Sequence, residues 1–278
     1  MSIGHAIILG LTQGIAEFLP ISSSGHLAIL QNLLGLSSLE NNMFFDVLLH
    51  LGTLIAICFV YWTDIVKMAA EVLMMLRGES TVTVKGKRRP MYAARMFLLI
   101  CVASLPLILI ALVNDYIDLL NSKTLFVGLA LILNGFILIV ADKMKPGEKT
   151  EKDSLFTDAL LIGLCQCVAT LPGISRSGVT ITAAISTGHR REFAVKFSML
   201  MSIPAVLGAT IFELIKSFQA GIDIKLIPAY LVGMVVSMVS GVFAIKAIRI
   251  VAKKGAFGGF AYWCWIVGAL AVILTVIF

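Results

Sequence analysis

The chain has 278 residues, 59% of them hydrophobic and only 14% charged, with a formal net charge of +6. That balance excludes an ordinary soluble domain. Because the apolar residues are gathered into uncharged blocks, the positive excess reads as membrane topology and gives no reason to invoke nucleic acid.

The first apolar run is Ala6–Ala16. A helix of that length reaches only ~16 Å, about half of a ~30 Å hydrocarbon core. No basic residue precedes it and it contains Gln13, which argues against a cleaved signal peptide. Leu19-Pro20 breaks the run, a Ser/Gly turn follows, and a second short apolar run covers 26–34. Half-length helix, break and half-length helix predict a re-entrant hairpin over 6–34. Full spans are then predicted over 44–62, 96–113 and 125–141. A polar linker, 142–154, separates these from a second hairpin over 159–188, broken at Leu171-Pro172-Gly173, and from spans over 197–215, 226–245 and 260–278. The expected fold is an all-α integral membrane protein with six transmembrane helices and two re-entrant helical hairpins. Its halves are 1–141 and 155–278.

The hairpins are copies of one another. Residues 6–25 align without a gap on 159–178, with nine identities in twenty positions, including Gln13/Gln166, Ser22/Ser175, Ser24/Ser177 and Gly25/Gly178. Three crossings lie between the copies, so the second enters from the opposite face and the repeat has inverted topology. Irregular backbone at membrane depth survives only where protein or a watered cavity encloses it. The two turns are therefore expected to meet at a cavity. Seventeen of the twenty-two Lys and Arg residues fall in 63–91, 143–157, 189–196 and 246–257. By the positive-inside rule these segments are cytoplasmic, which puts both termini and the first turn on the outer side.

The copies differ where chemistry would matter. The first carries Glu17, Ser23 and His26; the second has Thr170, Arg176 and Val179 at those places. Ionisable groups inside a membrane are costly and mark function by default. Around them stand Ser22, Ser24, Ser175, Ser177, Thr180 and Thr182. Hydroxyls, a guanidinium and free N–H groups at helix starts together suit a phosphate. A plainer reading has the serines capping helices and Arg176 pairing with Glu17 in a closed polar core. That reading leaves the asymmetric placement of His26 and Arg176 unexplained. Asp46 and His50, one turn apart on the first span, fit either the rim of the site or an interfacial pair. Glu213 and Lys216 read as a helix-surface pair. The run Lys85-Gly-Lys-Arg-Arg89 reads as a topology signal able to contact anionic lipid. The five cysteines all lie in apolar stretches at spacings that suit neither zinc nor redox chemistry. Gly233, Ser237 and Gly241 form a small-residue helix face, open to packing within the chain or in a homodimer.

With those residues in hand, the chain closely resembles the undecaprenyl-diphosphate phosphatase family, the bacitracin-resistance type of membrane phosphatase. Its first signature stands here as Gln13-Gly-Ile-Ala-Glu17-Phe-Leu-Pro-Ile-Ser-Ser-Ser-Gly-His26, its second as Pro172-Gly-Ile-Ser-Arg-Ser-Gly-Val-Thr180. The resemblance implies removal of the terminal phosphate of undecaprenyl diphosphate, which regenerates the lipid carrier for cell-wall synthesis. It also implies a divalent cation, magnesium or calcium, and residence in the bacterial cytoplasmic membrane among its lipids. Many members carry Glu where this chain has Gln13. Read as phosphoryl transfer, the expected catalytic set is Ser23 as nucleophile, His26 as its general base, Arg176 as clamp and Glu17 as metal ligand with Gln13. Ser22, Ser24, Ser175, Ser177 and Thr180 would bind substrate. The rival reading is a transporter or lipid flippase, because inverted repeats with broken helices also build secondary transporters.

Overall fold

In a computed structural model, residues 1–36, 42–84, 86–110, 120, 123–220 and 224–277 are described. Six helical segments are long and apolar enough to cross a membrane: Met43–Val60, Tyr92–Ile110, Thr124–Lys143, Arg191–Ile215, Ile224–Lys254 and Gly258–Ile277. They match the six expected spans one for one; residues 111–113 and Phe278 lie outside the described residues. The helices are α1 (Ile3–Phe18), α2 (Ser23–Leu33), α3 (Asn42–Val60), α4 (Trp62–Leu76), α5 (Tyr92–Ser104), α6 (Leu107–Ile110), α7 (Thr124–Lys143), α8 (Phe156–Val168), α9 (Arg176–Ser186), α10 (Arg191–Ala220), α11 (Ile227–Lys254) and α12 (Gly258–Ile277). Large apolar side chains such as Phe59, Ile108, Phe136 and Phe243 are well exposed along the spans. On a water-facing surface so much exposed apolar area would drive association, whereas in a bilayer it meets lipid.

The four half-length helices are α1, α2, α8 and α9, of 16, 11, 13 and 11 residues. Small residues let α1 and α3 settle onto α11. A Cβ on Gly10 would come within 2.6 Å of the Gly233 carbonyl oxygen. One on Gly14 would collide with Ser237 and Ser240, and one on Gly52 with the Met234 carbonyl. The stripe Gly233, Ser237 and Gly241 is therefore consumed inside the chain, with Phe45 against Gly233 and Phe18 and Ala56 against Gly241. Close backbone approach replaces the hydrophobic drive that lipid removes. The second copy repeats the arrangement, with Gly163 of α8 against the Ala103 carbonyl of α5. Helices α7 and α12 pack through Gly128 and Gly268.

Two elements depart from the expected loop over 63–91. Helix α4 exposes Trp62, Val66, Leu73 and Leu76 while burying Met68 and Glu71. The buried Glu71 carboxylate accepts from the backbone N–H groups of Ala93 (2.7 Å) and Ala94 (3.1 Å), which caps α5, and pairs with Arg89 at 3.2 Å. The basic run beyond it forms a two-stranded antiparallel hairpin, β1 (Thr81–Val84) and β2 (Lys87–Pro90); Lys85 is outside the described residues. Among the described residues the architecture is thus all-α save for this ribbon.

The basic segments gather at one end. Arg95 donates to the carbonyls of Glu151 (3.0 Å) and Ser154 (2.7 Å), and Lys196 pairs with Asp64 at 2.6 Å. Arg191 donates to the carbonyls of Asp142 and Met144, and Asp142 accepts from the Phe257 N–H at 2.8 Å. Residues 142–154 take part in all of these contacts except the Lys196–Asp64 pair.

Candidate active site

Each hairpin breaks in the same way, and the break builds the site. In the first, Pro20 ends α1, and Ser22 caps α2 by accepting from the Gly25 N–H at 3.3 Å. Ser22 has φ +70°, the single non-glycine residue with positive φ among the described residues. A left-handed backbone there costs energy and is kept where surrounding structure demands it. In the second, Gly173 takes φ +95° and sits against α7, where a Cβ would meet the Val127 carbonyl at 2.6 Å. Ser175 then caps α9 by accepting from the Gly178 N–H at 3.1 Å.

One buried side chain joins the two turns. Asn134, in the middle of α7 and fully buried, donates through Nδ2 to the Pro20 carbonyl at 2.9 Å and accepts at Oδ1 from the Ser175 N–H at 2.9 Å. Sequence reasoning missed it. An Asn in an otherwise apolar span is the signal that would have found it, since such a group must find partners.

The turns meet at a cavity of about 680 Å³, as the repeat pattern required. Its polar wall includes Glu17, Ser22, Ser23, Ser24, His50, Gln166, Ser175 and Arg176; its apolar wall includes Leu105, Ile108, Val206 and Phe212. Ser23 Oγ donates to Glu17 Oε2 at 2.6 Å. Gln13 Nε2 donates to the same oxygen at 3.1 Å, and the Arg176 guanidinium is ion-paired to Glu17 Oε1. The pairing anticipated by the plainer reading of these residues is therefore present, and it lies on the wall of an open cavity. A buried carboxylate needs such partners to stay charged.

Several expected roles change with the geometry. His26 does not reach Ser23: its Nδ1 lies 2.8 Å from the Ser22 carbonyl, and its Nε2 accepts from the Trp263 indole N–H at 2.8 Å. Both ring nitrogens are thus occupied away from the cavity. The Thr180 hydroxyl serves the helix and its neighbour, contacting the Arg176 carbonyl at 2.8 Å and Ser198 Oγ at 2.7 Å. Ser177 is buried against Ser175 Oγ at 3.2 Å, and Thr182 bonds back to the Gly178 carbonyl at 2.6 Å. Gln13 stands behind Glu17. Of the Asp46 and His50 pair, His50 faces the cavity, with its Nδ1 fixed 2.8 Å from the Asp46 carbonyl, while Asp46 accepts from Gln31 at 2.9 Å. Glu213 is described, but the side chain of Lys216 is outside the described residues.

With a carboxylate–serine–guanidinium cluster in a half-apolar membrane cavity, likeness to known proteins becomes informative. Residues 6–270 match the family model described as bacitracin resistance protein BacA. The chain belongs to the BacA family. It is 39% identical over 278 residues, covering all of both chains, to a protein of Alkaliphilus metalliredigens named undecaprenyl-diphosphatase. A Methanosphaera stadtmanae protein of the same name is 37% identical over 282 residues, with 100% of this chain and 99% of that one covered. Undecaprenyl-diphosphatase 3 of Bacillus cereus is 34% identical over 271 residues, covering 97% and 96%. The BacA family match runs through both hairpins and all six spans, so it takes in every residue of the cavity.

Proposed function

We propose that this chain hydrolyses undecaprenyl diphosphate to undecaprenyl phosphate and inorganic phosphate, recycling the lipid carrier of cell-wall synthesis and conferring bacitracin resistance. The observation that carries the mechanism is the 2.6 Å hydrogen bond from Ser23 to Glu17 beside Arg176. Ser23 Oγ is the nucleophile, and Glu17 Oε2, which already accepts its hydrogen bond, takes its proton. Arg176 exchanges part of its pairing with Glu17 for the oxygens of the terminal phosphate, where a planar two-pronged donor holds geometry as well as charge. Attack forms a phosphoserine and breaks the bond between the terminal phosphorus and the bridging oxygen, which leaves as the lipid monophosphate. Glu17 passes the serine proton to the departing lipid monophosphate. Water then attacks the phosphoserine and gives its proton to Glu17, which returns it to Ser23 Oγ as the bond from that oxygen to phosphorus breaks and phosphate leaves. Ser22, Ser24 and Ser175 line the path of the phosphate oxygens, and the apolar wall receives the first isoprene units.

A divalent cation, magnesium or calcium, fits the residues present. Gln13 Oε1 is buried with no hydrogen-bond partner, and with the Glu17 carboxylate it offers the hard oxygens such ions prefer. No group of three or more His, Cys, Asp or Glu stands together among the described residues, so water and phosphate oxygens would complete the shell. Bound there, the ion would neutralise charge on the diphosphate.

In this reading α1–α2 and α8–α9 are re-entrant hairpins, and 1–141 and 155–278 are inverted halves joined by 142–154. The matching contacts of α1 with α11 and of α8 with α5 support it. The basic end around the linker is cytoplasmic, and the cavity opens to the outer side of the cytoplasmic membrane. Phosphate release from farnesyl diphosphate by detergent-solubilised protein tests the reaction and separates it from transport, which needs a sealed bilayer. Wild type should turn over, and Ser23→Ala and Glu17→Ala should lose at least a hundredfold. Near wild-type turnover by Ser23→Ala would eliminate the covalent route.

A further inference from the structure

Gln166 is the second-copy counterpart of Gln13, and the two amides have different fates. Gln13 has a carboxylate one turn ahead and donates to it at 3.1 Å. The residue one turn ahead of Gln166 is Thr170, whose hydroxyl is committed to the Cys167 carbonyl at 2.7 Å. Gln166 is 1% exposed, and neither its amide oxygen nor its amide nitrogen has a hydrogen-bond partner. It also lines the central cavity, as do Ser175 and Arg176. A buried amide with both polar atoms unpaired is a net cost to the fold, and Leu or Met would fill the space without that cost. Retention of the amide is explained by a ligand that pairs it.

We infer that Gln166 is a substrate-binding residue whose amide N–H donates to the non-bridging oxygens of the diphosphate. Phosphate oxygens near neutral pH only accept hydrogen bonds, so the amide nitrogen is the atom that recognises them. The inference rests on the phosphatase reading of the cavity. It adds that each half of the repeat binds the phosphates: the first through its serines, the second through Arg176 and Gln166. The amide lies at a position that the two halves share, so one ancestral group has two present uses. Gln13 supports the carboxylate, and Gln166 meets the substrate.

The test is a farnesyl diphosphate titration of full-length wild type, Gln166→Leu and Gln166→Glu in detergent, with thermal unfolding of each protein measured with and without the same compound. Gln166→Leu should unfold at the same temperature as wild type or higher, because an unpaired polar group is gone. Its KM should rise roughly tenfold, equivalent to about 1.4 kcal/mol, and the stabilisation given by farnesyl diphosphate should shrink. Gln166→Glu, which sets a carboxylate against phosphate, should lose more than Gln166→Leu. A purely structural amide would leave KM and the ligand-induced shift of Gln166→Leu at wild-type values, and that result overturns the inference. If wild type releases no phosphate, the phosphatase reading fails. The ligand-induced shift then still decides whether the amide binds a diphosphate. If Gln166→Leu does not fold, Gln166→Met, unbranched at the same length, takes its place.

Discussion

Asn134→Ala should separate the two turns of the cavity without altering any cavity-lining residue chemically. Removing the amide strands the Ser175 N–H and leaves the Pro20 carbonyl, also held at 2.9 Å, with only the weak Cys264 thiol contact at 3.9 Å. A buried backbone group left without a partner costs about 1–3 kcal/mol. The two groups together give roughly 3 kcal/mol once some relaxation is allowed. At roughly 2–4 °C per kcal/mol for a domain of this size class, melting should fall by about 6–12 °C. The functional loss should exceed the loss of folded protein, because Ser175 carries Arg176 and Pro20 precedes Ser22 and Ser23. Displacement of reacting groups by ~1 Å costs on the order of a hundredfold in rate. The assay is phosphate release from farnesyl diphosphate at a temperature where the variant is fully folded, paired with thermal unfolding in the same detergent. Asn134→Asp keeps an acceptor for the Ser175 N–H but points a second oxygen at the Pro20 carbonyl, so it should not rescue. Asn134→Ala with wild-type melting and turnover would refute the brace.

Arg176→Lys should cost about a hundredfold or more in kcat/KM, because a point charge cannot replace a planar fork that spans Glu17 and phosphate; steady-state kinetics would expose a smaller effect. Gly10→Val should prevent folded accumulation in the membrane, since even a Cβ there would sit 2.6 Å from the Gly233 carbonyl; a monodisperse purified variant would contradict the packing. Outside the spans, burial holds the His189 imidazole below its usual pKa. The unfolded chain then binds the extra proton more readily, so the contribution of His189 to stability is full above about pH 6.5 and is lost as pH falls toward the depressed value. Melting between pH 7.5 and 5 should therefore decline less steeply in His189→Phe than in wild type.

The six spans were readable because hydrocarbon demands about twenty apolar residues whatever the fold around them. Helix α4 was not, since its 15 residues mix Asp64, Lys67 and Glu71 with apolar positions, Arg77 follows at its C-terminus, and the run looked like a basic loop. Its exposed Trp62, Val66, Leu73 and Leu76 lie on one side and its buried Glu71 on the other, which suits a helix lying along the membrane surface. The homodimer alternative for Gly233, Ser237 and Gly241 could not be settled by spacing, because four-residue periodicity marks a close-packing face without naming what packs on it. The partners are α1 and α3 of the same chain.

The site was legible to the extent that membrane burial makes polar residues conspicuous. Glu17, Ser23 and Arg176 stood out by type and by their unmatched places in the repeat, and the structure brings all three to one wall. The direction of a side chain is what residue type cannot supply. His26 lies three residues after Ser23 on the same helix, yet Trp263, far off in sequence, draws its ring away. Asn134 and Gln166 share the converse property: each sits in an apolar helix where polar residues are rare, outside the asymmetric positions. His50, by contrast, was already legible as a candidate for the rim of the site, and it does line the cavity. Asymmetry between copies finds the groups that diverged. Groups that both copies kept, such as Gln13 and Gln166, are hidden by their identity. Their difference appears only in their surroundings, where one amide has Glu17 to pair with and the other has the cavity.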